Sequence, residues 1–166
     1  MDNYWKSILG QQYGAVIEML ETSIAACPEE IWSDRTQKPE YWYLVYHTLF
    51  FLDLYLSGSL DGFAPPAPFT LDELDPAGVL PERVYTKEEL QNFLLHCRKK
   101  CLATIGNLTD AKAQEICKFS NFEISFGELF LDNLRHVQHH VAQMNLILRQ
   151  KTDSAPGWIT TTKICE

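Results

Sequence analysis

Five of the chain's eight prolines (Pro65, Pro66, Pro68, Pro76 and Pro81) fall within the 28 residues 58–85, and this clustering constrains the fold more than any other feature. Proline fixes φ and removes a backbone donor, so the segment is denied both a helix interior and a central strand. It must be a long ordered loop, and regular structure has to be built on either side of it. On both sides the pattern is helical. Over residues 3–26, Tyr4, Ile8, Tyr13, Ile17, Leu20 and Ile24 recur at helical spacing, and Pro28 follows the end. A second helix spans 40–57, with Pro39 suited to its first turn and Gly58 to its C-terminal stop. Thr86-Lys-Glu-Glu89 has the form of a capping box and opens a third helix to about residue 106, striped by Leu90, Phe93, Leu94, Cys97, Cys101 and Ile105. Ser125-Phe-Gly-Glu128 is a second capping box, opening a fourth helix to about residue 150, before Pro156 and Gly157. Between the last two helices the pattern is mixed: 111–117 has helical character and 118–124 extended character.

Four long helices on 166 residues predict one all-α domain over 1–166, a four-helix bundle. About a dozen residues join the first two helices, compatible with antiparallel neighbours, whereas 58–85 is far longer than a helical hairpin needs. That length permits a crossover. The resulting order is up-down-down-up, with the second and fourth helices antiparallel. A chain of this size buries roughly 70% of its unfolded surface, so its core requires neither disulfide nor structural metal. Any metal is then free to serve function.

With 22 acidic against 14 basic residues the net charge is −8, and the one basic block is Arg98-Lys99-Lys100. Phosphate neutralisation needs clustered cations, so nucleic acid is excluded as a partner, and an anionic membrane surface is disfavoured. The longest apolar stretch, 41–56, is too short to span a bilayer and contains His47 and Asp53. The opening MDNYWKSILGQQYG has no basic segment followed by an apolar one, which predicts no secretory signal and a cytoplasmic location. Five cysteines, an odd number at irregular spacing, predict reduced thiols rather than a disulfide framework.

The exceptions to this bland composition are histidines. Three of five lie in His136-Val-Gln-His-His140, and His47 lies in the apolar heart of the second helix. Residues four apart project from one helical face, so His136 and His140 can grip one ion. On a heptad reading His140 takes a core position beside Val137 and Met144, His136 flanks it, and His139 points off toward the rim. At 1.5 Å per residue, His47 lies roughly 10 Å from the start of its helix and His140 roughly 15 Å from the end of its own. In an antiparallel pair these depths nearly match. Three neutral imidazoles from two helices leave a coordination position open, as catalytic rather than structural sites do. Val137 follows His136, so no H-E-x-x-H motif is present and the adjacent glutamate base of that protease mechanism is missing.

These residues carry a resemblance to the DinB superfamily, the DinB/YfiT-like metalloenzymes. Its pattern is a histidine within an aromatic-rich second helix, here Trp42-Tyr-Leu-Val-Tyr-His47-Thr-Leu-Phe-Phe, and H-x-x-x-H-x-G-Q on the fourth. The latter reads His136-Val-Gln-His-His140-Val-Ala-Gln143, with the small Ala142 where the family often has glycine. The resemblance spans the chain, including the proline-rich loop and the Asp153-Ser-Ala-Pro-Gly-Trp158 tail. It implies an up-down-down-up bundle, a homodimer, and a divalent metal (nickel, zinc or iron) on His47, His136 and His140. Some relatives are thiol-dependent S-transferases or isomerases, which implies a low-molecular-weight bacterial thiol and an electrophilic small molecule as partners.

A three-histidine metal lowers the pKa of a bound thiol or water toward neutrality, which points to metal-assisted thiol transfer, with hydrolysis as its relative. Asp132, one turn before His136, is placed to orient an imidazole or accept a proton; Glu128 lies a turn further back, and both also suit a solvated face. Gln143, one turn after His140, is placed to hydrogen-bond a ligand or to pack the bundle. Tyr43, Tyr46, Phe50 and Phe51 read as core, with the two tyrosine hydroxyls within reach of the site. Tyr4, Trp5 and Tyr13 are candidates for a dimer face. The competing reading is a non-catalytic dimeric helical stress protein that binds a ligand or partner, its histidines structural.

Overall fold

The computed structural model describes residues 2–78 and 80–162; Cys165 lies outside them. Six helices dominate: α1 (Asn3–Ala26), α2 (Glu29–Trp32), α3 (Tyr41–Ser57), α4 (Lys87–Asn107), α5 (Asp110–Gln114) and α6 (Phe126–Thr152). Two short strands, β1 (Ile116–Lys118) and β2 (Glu123–Ser125), pair antiparallel with Ile116 opposite Ser125. That short hairpin sits in a mostly helical fold, in keeping with the all-α expectation, and resolves the mixed segment before the last long helix. Both expected capping boxes are present: Thr86 and Glu89 exchange side-chain and backbone hydrogen bonds, as do Ser125 and Glu128. Gly58 ends α3 in the left-handed region at φ 74°, where a Cβ would also meet the Phe126 ring at 3.0 Å. Pro39 differs from expectation, because Glu40 is the N-cap of α3 and the proline precedes the helix instead of entering its first turn.

Each of the four long helices packs against two others, α1 and α3 each touching both α4 and α6. Side-chain contacts give the registers. On α3 and α6, Gly58 lies against Phe126, Asn133 Nδ2 donates to the Leu52 carbonyl at 3.1 Å, and His47 meets His136. Positions therefore descend along α3 as they rise along α6. On α1 and α6 they rise together, Tyr13 beside Phe130 and Ser23 bonded to Asn145 at 2.9 Å.

The core is aromatic: Trp32, Trp42, Tyr41, Tyr46, Phe50, Phe93 and Phe130 are buried. Tyr13 joins them, fully buried, its hydroxyl donating to the Phe130 carbonyl. It therefore leaves the expected exposed face, since an aromatic ring in mid-α1 lies over α6. Residues 58–85 lie against this core through Phe69, whose ring stacks on Phe93 at 4.5 Å, and through Tyr85, whose carbonyl accepts from Trp32 Nε1 at 2.9 Å. Within the loop, Asp72–Leu74 form a 3₁₀ turn. Among the described residues no helix is long and apolar enough to cross a membrane.

Candidate metal centre

His47 lies on α3, and His136 and His140 lie one turn apart on α6. Because the two helices run their contacts in opposite directions, the three rings meet at one level in the α3/α6 groove. His136 Nε2 is 3.3 Å from His47 Nε2 and 3.1 Å from His140 Nε2. One ligand nitrogen from each ring lies within 4.8 Å of the others, close enough to hold a single ion. All three side chains are part-buried, with His47 26% exposed, so the cluster reaches solvent.

The outer nitrogens are held from behind. Glu73, on the 3₁₀ turn, accepts a hydrogen bond from His47 Nδ1. A carboxylate only accepts, so the hydrogen sits on Nδ1 and His47 Nε2 offers a lone pair to the cluster. At His140, Nδ1 lies 2.7 Å from Gln143 Oε1, which sets the same tautomer. His136 Nε2 stands between the Nε2 atoms of His47 and His140 and carries at most one hydrogen, so it cannot direct a full hydrogen bond at both; without that hydrogen, both contacts set lone pair against lone pair. Its own Nδ1 is buried with no partner. Protonation is no remedy: burial foremost, then the neighbouring His140 and His47, push the His136 pKa down to about 3. Burial likewise lowers that of His140 to about 4, against the opposing bond from Gln143. Two imidazoles held neutral by burial, and three Nε2 atoms converging on one point, fit a cation such as a divalent metal.

The remaining expected residues divide. Gln143 makes the contact its spacing suggested, on His140. Asp132 bonds Arg135 at 3.4 Å, and Glu128 is consumed by the Ser125 capping box. Neither has a hydrogen bond to a cluster imidazole among the described residues. The Tyr43 hydroxyl donates to Glu73 at 3.1 Å, one step behind His47, whereas that of Tyr46 goes to the Thr70 carbonyl at 3.2 Å. His139 is exposed, its ring 5.1 Å from that of His140, at the edge of an open concavity of about 730 Å³ that His136, Asp132, Arg135 and Trp158 also line. Phe51 and Tyr55 extend the α3 face beyond His47, their rings 5.6 and 6.2 Å from His136. Cys27, Cys97, Cys101 and Cys117 are free and buried.

Glu73 was not expected. Its contact with His47 spans 26 residues and departs from an irregular loop, so no periodicity announces it. The acidic run Asp72-Glu73-x-Asp75 is the one local mark, and it does not say which carboxylate turns inward.

A family model described as the DinB superfamily matches residues 12–144, a span that includes all three histidines and Glu73. A crystal structure of a DinB-like protein from Bacillus subtilis is similar in fold, with TM-score 0.56 and 15% identity over 94% of this chain and 97% of that one. No curated protein sequence matches the chain.

Proposed function

The chain belongs to the DinB superfamily, and from that premise we propose that it is a divalent-metal-dependent enzyme with nickel, zinc or iron held by His47, His136 and His140. The observation that carries the reading is the convergence of three Nε2 atoms, two of whose rings are held from behind by Glu73 and Gln143. Imidazole suits all three metals, so the donor set names the class and not the element. When bound, such an ion supplies a Lewis acid that lowers the pKa of a thiol toward neutrality. We assign thiol-dependent S-transfer to an electrophilic small molecule: the thiol S–H bond breaks, the sulfur bonds to the electrophilic carbon, and the bond from that carbon to its leaving group breaks, the leaving group departing with the electron pair and taking up the thiol proton. The chain's own described cysteines do not supply that sulfur. All four are buried, and burial raises the thiol pKa of each, that of Cys27 to about 12. In this reading the cosubstrate is a low-molecular-weight thiol, as the resemblance to the family implies. The residues that act are then His47, His136 and His140 as ligands, with Phe51 and Tyr55 as an aromatic wall beside them.

The same reading extends to connectivity and assembly. The registers of the four long helices support an up-down-down-up bundle with 58–85 as its crossover. An apolar groove of about 470 Å³, lined by Trp5, Ile8, Leu9, Phe130, Leu131 and Leu134, supports a homodimer through α1 and α6.

The test is the metal content of protein purified without a histidine tag, beside His47→Ala and His136→Ala. Near-stoichiometric metal that both substitutions remove supports the centre; negligible metal in all three overturns it. Thiol consumption with electrophilic acceptors by the loaded protein supports S-transfer, and its absence favours the non-catalytic binding protein.

A further inference from the structure

Glu73 presents a problem that the three-histidine cluster does not by itself explain. Its neighbours on the turn, Asp72 and Leu74, are exposed, yet the Glu73 side chain is 4% exposed. A carboxylate withdrawn from water is costly unless charge and hydrogen bonds replace the water. Among the described residues no lysine or arginine forms an ion pair with it; its partners are the Tyr43 hydroxyl and His47 Nδ1, both on Oε1. A positive charge acting through the imidazole, at its far nitrogen, is the compensation this placement calls for, because a cation on Nε2 makes the Nδ1 hydrogen a stronger donor.

We propose that Glu73 is a positioning residue of the centre: from the proline-rich loop it fixes His47 in the Nδ1–H tautomer, so that Nε2 faces His136 and His140 as a ligand. Glu73 is not itself a ligand, since it touches the nitrogen on the opposite side of the ring. The metal side of this inference rests on the reading of the centre given above; the tautomer side stands without it. Its structural consequence is that a helix–helix site is completed by a loop, so that the affinity of His47 for metal depends on how residues 70–75 are seated. Two further contacts seat them, the Tyr46 hydroxyl on the Thr70 carbonyl and the stacking of Phe69 on Phe93.

Two measurements on the full chain test this. Long-range ¹H–¹⁵N correlation on the metal-free protein reads the His47 tautomer, and competition with a chromophoric chelator reads the affinity for Zn²⁺. Glu73→Gln keeps the volume but offers His47 either an acceptor or a donor, so it removes the constraint without opening a cavity. We expect His47 as Nδ1–H in the wild type and a tautomer mixture in Glu73→Gln, with Zn²⁺ affinity reduced roughly 10–100-fold and the circular dichroism and Tm of the metal-free protein unchanged. A wild-type His47 found as Nε2–H overturns the proposal without any variant, as does a Glu73→Gln affinity equal to wild type. Should Glu73→Gln fail to fold, Glu73→Asp, which keeps the charge and withdraws it from His47, gives the same two readouts. A wild type that binds no Zn²⁺ overturns the metal reading, and the tautomer then decides the role of Glu73 alone.

Discussion

His47 and Asp53 share an apolar helix and show two solutions to placing a polar group there. His47 is part-buried at the groove and backed by one carboxylate. Asp53 is fully buried, and its Oδ1 takes Lys100 Nζ at 2.6 Å and His96 Nε2 at 3.0 Å, while Oδ2 has no partner. Lys100 also bonds the Asp53 carbonyl at 2.8 Å and Ser57 Oγ at 2.6 Å, so a single ammonium ties α4 to the end of α3. Removing one member of a buried pair strands the other charge, so Lys100→Met is expected to cost about 3 kcal/mol in urea unfolding. Arg135→Met breaks a pair with Asp132 whose arginine is 80% exposed, and is expected to cost less than about 0.5 kcal/mol. Equal costs for the two would refute the assignment of Lys100 as the counter-charge. Asp53 stands out in the sequence as an acid inside an apolar run, but its partners lie 43 and 47 positions away and leave no local trace.

Elements were the most legible level, because their signals are local. The two capping boxes are four-residue patterns, and the apolar stripes of α4 and α6 repeat within a turn, so both boundaries follow from neighbouring residues. The α4 box has an addition the pattern does not contain. Arg83, from the loop, forms a two-pronged pair with Glu89 at 2.8 and 2.6 Å, and this foremost, with the Thr86 backbone N–H, holds the Glu89 carboxyl down to about 2. A folded-state pKa below the ordinary 4.5 means the stabilisation is fully present above that value and is lost as pH falls from 4.5 toward 2. The stability gap between wild type and Glu89→Gln should therefore be widest near neutrality and narrow below 4.5. A gap independent of pH would mean that Glu89 contributes as a cap and not as a charge. The short helix α2 and the β1–β2 hairpin were illegible in detail, since four- and three-residue elements carry too few positions for a period.

At the scale of the molecule, the surface is acidic overall but not uniformly polar. Tyr4, Trp5 and Leu131 are 66%, 56% and 54% exposed, and the last two flank the apolar groove between α1 and α6. Large apolar side chains that converge on one groove mark an association surface, whereas scattered ones need no partner. The proposed homodimer uses this face, on the side of α6 away from the histidines. Leu131→Glu should convert a dimer to a monomer in sedimentation at micromolar concentration, with Zn²⁺ binding retained. A wild type that sediments as a monomer, or a Leu131→Glu dimer, would place the interface elsewhere or remove it.

The sequence by itself determined the helical class, the long helices and most of their ends, the break at 58–85, and the three histidines as a group, because each follows from periodicity, caps or helical rise. Only the tertiary structure decided that Tyr13 is core, that Asp132 turns to Arg135 and Gln143 to His140, and that Glu73 reaches His47. The division has one physical cause. A helix repeats its geometry every few residues and so writes itself into neighbouring positions, whereas the contact of a loop carboxylate with a helix imidazole depends on the path of the whole intervening chain.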